Sequence, residues 1–346
     1  MSMTNPFELL NLQESAEDKA LSFEPTHFDH YLGQAAIKEK LNVYVQASKM
    51  REEPLDHVLL FGPPGLGKTT LARVIAKELG VTLRITTAPA IERTGDLVAM
   101  LSSLQSREVL FIDEIHRLPK NVEEILYTAM EQFAVDVIIG QGAGAKSIRL
   151  PLQPFTLIGA TTKTGLLSTP LQTRFGIVER LDFYTSDELA AITIQNAEFL
   201  GMPIVPAAAM ELGRRARGTP RIVKRILRRV RDVAQVYKHA LIDMEVVRYA
   251  LNFLDIDDNG LNKVDRLYLT VLLRDFEGGP AGVETLAAMT GEDRDTLEDV
   301  VEPFLIRQGF IIKSPRGRQI APKKILFLRK KILKEDITEQ QDLFNK

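Results

Sequence analysis

Gly62-Pro63-Pro64-Gly65-Leu66-Gly67-Lys68-Thr69-Thr70 decides how the rest of the chain is read. It satisfies G-x-x-x-x-G-K-[ST], the Walker A pattern, and its flanks supply the context that the pattern requires. Before it, His57-Val58-Leu59-Leu60-Phe61 is a short apolar run that reads as a buried strand. After it, Leu71, Val74, Ile75 and Leu79 recur at helical spacing up to a terminating Gly80. Between strand and helix, Gly62, Gly65 and Gly67 let backbone N–H groups turn inward around phosphate oxygens, at a helix end that already favours anions. Lys68 is expected to reach the β- and γ-phosphates, the Thr69 hydroxyl to ligate Mg²⁺, and Thr70 to contact ATP. The implied ligand is ATP with Mg²⁺.

A second run confirms the direction. Val109-Leu110-Phe111-Ile112-Asp113-Glu114 is four apolar residues ending in two carboxylates. Such a run is a strand buried on both faces, as in parallel sheets, and its C-terminal end is where open α/β sheets bind ligands. Asp113 is placed to hold Mg²⁺ through water, and Glu114 to polarise the water that attacks the γ-phosphate. The pair implies hydrolysis as well as binding.

Composition sets the frame. At 346 residues, 45% hydrophobic and 26% charged, the chain has the make-up of a soluble protein of two or three domains. It has no cysteine, which excludes disulfides and cysteine-bound zinc and suits a reducing cytoplasm. Neither a signal-like N-terminus nor a long apolar run is present, so the sequence predicts no membrane partner. Net charge is −2, but residues 303–334 carry ten Lys/Arg and no acid, which predicts one basic surface.

In chain order, residues 1–19 read as a loose polar tail. Phe23-Glu24-Pro25-Thr26-His27-Phe28-Asp29-His30-Tyr31-Leu32-Gly33-Gln34 reads as an N-terminal strap packed on the core or, beside the nucleotide loop, as one wall of a base pocket. Further strands are expected at Leu83–Thr87, Phe155–Thr162 and Val178–Phe183. Val135–Ile139 and Ser147–Leu150 flank a glycine-rich stretch and form a hairpin whose Val and Ile residues suggest a partner surface. From Ser186 the pattern turns helical, and Arg214–Arg231 holds nine Arg/Lys and no acid. Within it Thr219 is expected to cap a helix and Pro220 to start it, putting Arg221 at a helix N-terminus, from which it could be aimed back toward the nucleotide. Asp255–Gly260 reads as an acidic linker. Three helices (263–276, 283–289, 294–308) and two short strands around Pro315-Arg316-Gly317 then make a winged helix. Arg316 and Arg318 at its wing suit phosphate or minor-groove contact.

With those residues in view, the chain resembles the AAA+ ATPases and, within them, the family of bacterial Holliday-junction branch-migration motors. The likeness covers about Phe23 to Lys323. It includes Phe111–Leu118, Ala129-Met130-Glu131, Ile158–Thr162, Thr173-Arg174-Phe175-Gly176, Arg217-Gly218-Thr219-Pro220-Arg221, Gly291–Thr296 and Pro315–Arg318. The resemblance implies an α/β fold: an AAA+ P-loop ATPase domain with a parallel sheet (20–184), a helical lid domain (185–255) and a C-terminal winged-helix domain (256–330), then a tail over 331–346. It also implies a homohexameric ring that pumps duplex DNA at Holliday junctions in recombination and repair. Its partners would be RuvA, through the hairpin near Val135–Leu150, and the resolvase RuvC. Carried onto this chain, Thr162 resembles the first sensor, Arg174 the arginine finger and Arg221 the second sensor. Phe23, Glu24, Glu131, Gln132, Phe133 and Tyr184 fall at nucleotide-contact positions, and Arg294, Lys313 and Arg318 at DNA-contact positions. Glu24 stands where the family usually has Arg, and Lys313 likewise replaces an Arg.

Rival readings are weaker. Protein unfoldases grip substrate with an aromatic loop between the Walker motifs, and residues 71–109 contain no aromatic. Clamp loaders lack a winged-helix head of this kind. A nucleotide-switched DNA-binding regulator needs neither Glu114 nor Arg174.

Overall fold

The computed structural model describes residues 23–139 and 146–334. The tail expected over 1–19, the hairpin tip at 140–145 and residues 335–346 of the C-terminal tail lie outside the described residues. Two compact units are present, Ser22–Ile192 and a second built on Thr193–Lys346.

The first unit opens with α1 (Ala35–Arg51), then β1 (Val58–Phe61), α2 (Lys68–Leu79), β2 (Leu83–Thr87), α3 (Thr94–Ser102), β3 (Val109–Asp113) and α4 (Lys120–Gln132). The hairpin strands β4 (Ala134–Ile139) and β5 (Lys146–Pro151) follow, then β6 (Thr156–Thr161), the single turn α5 (Thr169–Gln172) and β7 (Ile177–Arg180). Five strands form one parallel sheet in the order β2-β3-β6-β1-β7. Burial explains the sequence patterns. Central β3 and β6 are inside on both faces and read as continuous apolar runs, whereas edge strand β7 alternates buried and exposed. Leu110, Phe111 and Ile112 are fully buried, each contributing about 1.5–3 kcal/mol by leaving water.

The sheet's two ends differ. At the C-terminal end, Gly62 donates its N–H to Thr161 O at 3.2 Å, so the loop after β1 lies beside the end of β6. At the opposite end His57 is half-buried: its Nδ1 accepts from Leu157 N–H at 2.9 Å, which leaves Nε2 to donate to Met130 O at 3.1 Å. Its ring lies 6.4 Å from that of Phe133, where α4 ends in a left-handed residue and β4 begins. The hairpin is therefore rooted in the core. Val135 is fully buried and Val137 packs against the same cluster, so these valines do not join the partner surface expected of the hairpin. Ile148 and Leu150 remain exposed.

The second unit follows α6 (Ser186–Phe199) with α7 (Pro206–Arg215), α8 (Pro220–Val236) and α9 (Met244–Phe253). Then come α10 (Lys263–Arg274), α11 (Val283–Thr290) and α12 (294–307), and the wing strands β8 (Ile311–Ser314) and β9 (Gly317–Ile320). α12 contains a π-helical turn, Leu297–Val301, just before Pro303. Proline supplies no N–H to the preceding turn, and a π turn accommodates that loss. Tyr268, Leu272, Leu286, Leu297 and Leu305 fill the head's core with no exposure. Among the described residues no helix is long and apolar enough to cross a membrane.

Candidate functional site

The Walker A loop is built to receive an anion. α2 is preceded by Gly67, at φ +95° and with no side-chain cap, so its N-terminus points backbone N–H groups toward the loop. Gly62, at φ +140°, has no room for a side chain, since a Cβ there would overlap Leu181 O. Lys68 is buried, and its Nζ donates to Gly62 O (2.8 Å) and Pro63 O (3.0 Å), which holds the ammonium across the loop. A glycine loop running into a helix N-terminus, with one buried ammonium, fits a nucleotide phosphate chain. Thr69 and Thr70 follow on the first turn and are partly exposed.

Asp113 ends β3, two strands from β1, with β6 between them. At about 4.8 Å per strand the backbones are roughly 10 Å apart, a gap of the size that a phosphate and a hydrated metal ion span. Thr162, exposed at the end of β6, stands between the two. Asp113 Oδ1 accepts from Glu114 N–H at 2.9 Å. Glu114 is left-handed (φ +51°), and Arg117 Nη1 donates to its Oε2 at 2.8 Å. Both partners are about half exposed, so the pair is worth about 0–1 kcal/mol and leaves the carboxylate able to turn. Thr161 Oγ1 lies 2.9 Å from His116 Nδ1, fixing the segment after Glu114 to β6, and burial lowers the His116 pKa below its ordinary value.

Tyr184 closes over the loop, its hydroxyl donating to Leu66 O at 3.2 Å. Tyr31 donates in turn to Tyr184 Oη at 3.1 Å, and a Cβ on Gly67 would meet Tyr31 Oη at 3.1 Å. Sequence reading assigned no role to Tyr31 itself; the available signal was its place in the strap just before Gly33. Gly33 (φ +81°) has the Tyr184 ring where a Cβ would go, so the strap must carry glycine there. Burial pushes the Tyr184 hydroxyl up to about 12, and that of Tyr31 well above its ordinary range. Phe23 sits edge-on to His30 at 6.3 Å, and Glu24 lies 3.9 Å from Arg73 of α2, so a cation accompanies the acid.

Arg174 lies elsewhere. Its Nη2 is 3.0 Å from Glu131 Oε1, its Nη1 donates to Pro170 O at 2.7 Å, and its guanidinium stands 5.1 Å over the Tyr127 ring. Arg174 Nε is buried and finds no partner among the described residues. Glu131, Gln132 and Phe133 form the end of α4, and Phe133 packs against His57 at the N-terminal end of β1. This group therefore sits at the opposite end of the sheet from the chain's own Walker loop, with the four residues of β1, about 13 Å, between them.

In the second unit Arg221 occupies the first turn of α8 after Pro220. Thr219 stands at the cap position, but its hydroxyl makes no cap bond and instead donates to Ala216 O at 3.4 Å, correcting the expected capping role. In the head, Arg316 is exposed at the wing turn. Arg294 and Lys313 are about half exposed and both reach Glu298, at 3.0 and 3.2 Å. These cations hold the Glu298 carboxyl far down, at about 2. Arg318 differs from the expectation of a wing-tip contact. It is in β9, 9% exposed, with Nε 2.8 Å from Glu302 Oε1 and Nη2 2.6 Å from Glu298 Oε1. A guanidinium so paired holds the wing to α12 rather than facing solvent.

A phosphate loop after the fourth strand of a 2-3-6-1-7 parallel sheet, with an acid pair two strands away, is the arrangement of an AAA+ P-loop ATPase. Three sequence families match in series: the Holliday junction DNA helicase RuvB P-loop domain over 23–181, the RuvB AAA lid domain over 184–257, and the RuvB C-terminal winged helix domain over 258–329. Among solved structures, Thermotoga maritima RuvB, described as a Holliday junction branch migration motor, is 45% identical. It matches over 91% of this chain and 99% of its own, with a TM-score of 0.80. A point mutant of that protein matches with a TM-score of 0.82, at 45% identity over 91% of this chain and 100% of its own. The chain belongs to the RuvB family.

Proposed function

We propose that this chain hydrolyses ATP to drive branch migration of Holliday junctions, as a homohexameric ring on duplex DNA in recombination and repair. One observation carries the reading: the hydrolytic groups lie at one end of the sheet and Arg174 at the other, on a chain that also bears a winged-helix head. Gly62, Gly65, Gly67, Lys68 and Thr70 hold the phosphates, with Phe23, Glu24 and Tyr184 around the base and ribose. Thr69, and Asp113 through water, would hold Mg²⁺, which when bound offsets charge on the β- and γ-phosphates. Glu114 orients and deprotonates the attacking water, and Thr162 positions it against the γ-phosphate. Arg174, with Glu131, Gln132 and Phe133, serves the nucleotide of the adjacent subunit, and Arg221 reports its phosphate state to the lid. Arg294, Lys313 and Arg316 meet phosphates without reading sequence, while Arg318 shapes the wing.

The domain division 20–184, 185–255 and 256–330 is part of this reading, supported by family segments that end at 181 and 257. So are a cytoplasmic location, docking of RuvA on the hairpin through Ile148 and Leu150, and association with RuvC. Glu114→Gln tests the hydrolytic step: it should bind ATP as tightly as wild type yet turn over at least ~10²-fold more slowly, in line with loss of general-base catalysis. Wild-type turnover in that variant would remove Glu114 from the mechanism.

A further inference from the structure

Arg217 and Asp265 form a deeply buried ion pair, 6% and 0% exposed. They are 48 residues apart in the chain: Arg217 belongs to the loop that precedes α8, and Asp265 to the first turn of α10 in the head. Both Nη atoms donate, one to each carboxylate oxygen, so the contact is bidentate and sets direction as well as charge. The guanidinium also stacks 4.6 Å from the centre of the Phe304 ring of α12. Asp265 is fixed from its other side, because its Oδ2 accepts from Asn262 N–H (2.8 Å) while Asn262 Oδ1 accepts from Asp265 N–H (2.9 Å).

The loop itself is shaped to make this contact. Arg217 and Gly218 are both left-handed, at φ +56° and +71°. That is an unfavourable conformation for arginine, which its surroundings must hold in place. Gly218 is pressed so close to the head that a Cβ would overlap the Arg307 guanidinium. Arg215, two residues earlier, donates from Nη1 to Asp257 O at 2.5 Å and reaches Asp258 at 3.2 Å. Four residues after Arg217 comes Arg221, on the first turn of α8.

A buried ion pair is a poor source of stability, because desolvation offsets its Coulombic gain; its better-attested use is to fix one arrangement of two elements. We propose that Arg217 and Asp265 are positioning residues that join the loop bearing Arg221 to the DNA-binding head. Through them a change at the nucleotide moves the head, and DNA engagement is felt at the nucleotide. The proposal rests on the sensor role of Arg221 and the DNA role of the head given above. Coupling of this kind is reciprocal, so it is measurable as an affinity ratio.

The experiment compares the Kd of the full-length protein for a linear duplex in ADP and in a non-hydrolysable ATP analogue. For wild type the two should differ by about 5–150-fold, the usual range for allosteric coupling. In Arg217→Met/Asp265→Leu, which replaces the pair with apolar side chains, the ratio should fall to about 1 while analogue affinity without DNA stays at the wild-type value. Arg217→Lys, which keeps the charge but loses the fork and the stack, should give an intermediate ratio. If the double variant does not fold, Asp265→Asn, which retains the capping geometry, takes its place and should also lower the ratio. A folded variant with the wild-type ratio, or a wild-type ratio near 1, overturns the proposal. Arg221→Ala separates the two readings: unchanged ATP turnover there refutes the sensor role. Reduced turnover there, with a wild-type ratio in the double variant, refutes the coupling pair alone.

Discussion

Removing Arg174 should abolish hydrolysis while leaving the subunit folded, and the two magnitudes can be set side by side. Within its own subunit Arg174 makes a half-exposed ion pair with Glu131, a stack on Tyr127 and one hydrogen bond to Pro170 O. Such contacts are worth about 0–1, 0.5–1 and 0.5–1.5 kcal/mol, so Arg174→Ala should cost at most roughly 3.5 kcal/mol of stability. A trans arginine finger is worth about 10³–10⁵ in rate. At ~1.36 kcal/mol per decade that is about 4–7 kcal/mol of transition-state stabilisation, more than its local contacts together supply. The assay is complementation. Arg174→Ala and Lys68→Ala are each expected to be almost inactive, Lys68→Ala also losing ATP binding. Mixed in equal amounts with subunit exchange, about one head-to-tail interface in four would pair an intact Walker A with an intact finger. ATPase should then recover to as much as about a quarter of wild type. Arg174→Ala that stays active alone, or a mixture of exchanging subunits that recovers nothing, would refute action in trans.

Three further outcomes are expected. On duplexes of unrelated sequence, Lys313→Ala and Arg316→Ala should each lower the salt slope of binding by about 0.9. Arg318→Ala should instead destabilise the head by about 3–5 kcal/mol, because it strands the buried Glu302 carboxylate; equal slope losses for all three with unchanged melting would contradict this division. Replacing Ile148 and Leu150 by Ser should remove RuvA stimulation and spare intrinsic ATPase, and undiminished stimulation would rule out that docking face. Burial lowers the His57 pKa from its usual ~6.5, so the unfolded chain binds the extra proton first as pH falls. His57 therefore supports folding above about pH 6.5, and that support is lost on acidification toward its folded pKa. Denaturant titrations between about pH 7.5 and 5 should show the loss, and His57→Gln should flatten it.

Much of this was legible from local pattern. The Walker loop, the acid pair, the sheet strands and the head helices each declare themselves within a dozen residues, because phosphate cradles and buried strands impose short, repeating constraints. What the sequence hid was long-range pairing. Arg318 reads as a wing cation until Glu298 and Glu302 of α12 are seen beneath it. Tyr31 gains its role only by meeting Tyr184, 153 residues later. Arg217 looks like one of nine basic residues on a solvated face, yet is buried against an aspartate in another domain. Thr219 has the right type and place for a cap, but the left-handed residues before it turn the hydroxyl back to Ala216. Valines in the hairpin seemed unclaimed because the core that claims Val135 comes from distant segments.

The most direct test of the central claim is ATP-dependent branch migration on a synthetic four-way junction, with and without RuvA. Wild-type protein should convert the junction to duplex products with ATP, faster with RuvA. Neither the non-hydrolysable analogue nor Glu114→Gln should support conversion. Conversion at the same rate without hydrolysis, or none with ATP and RuvA present, would contradict the account.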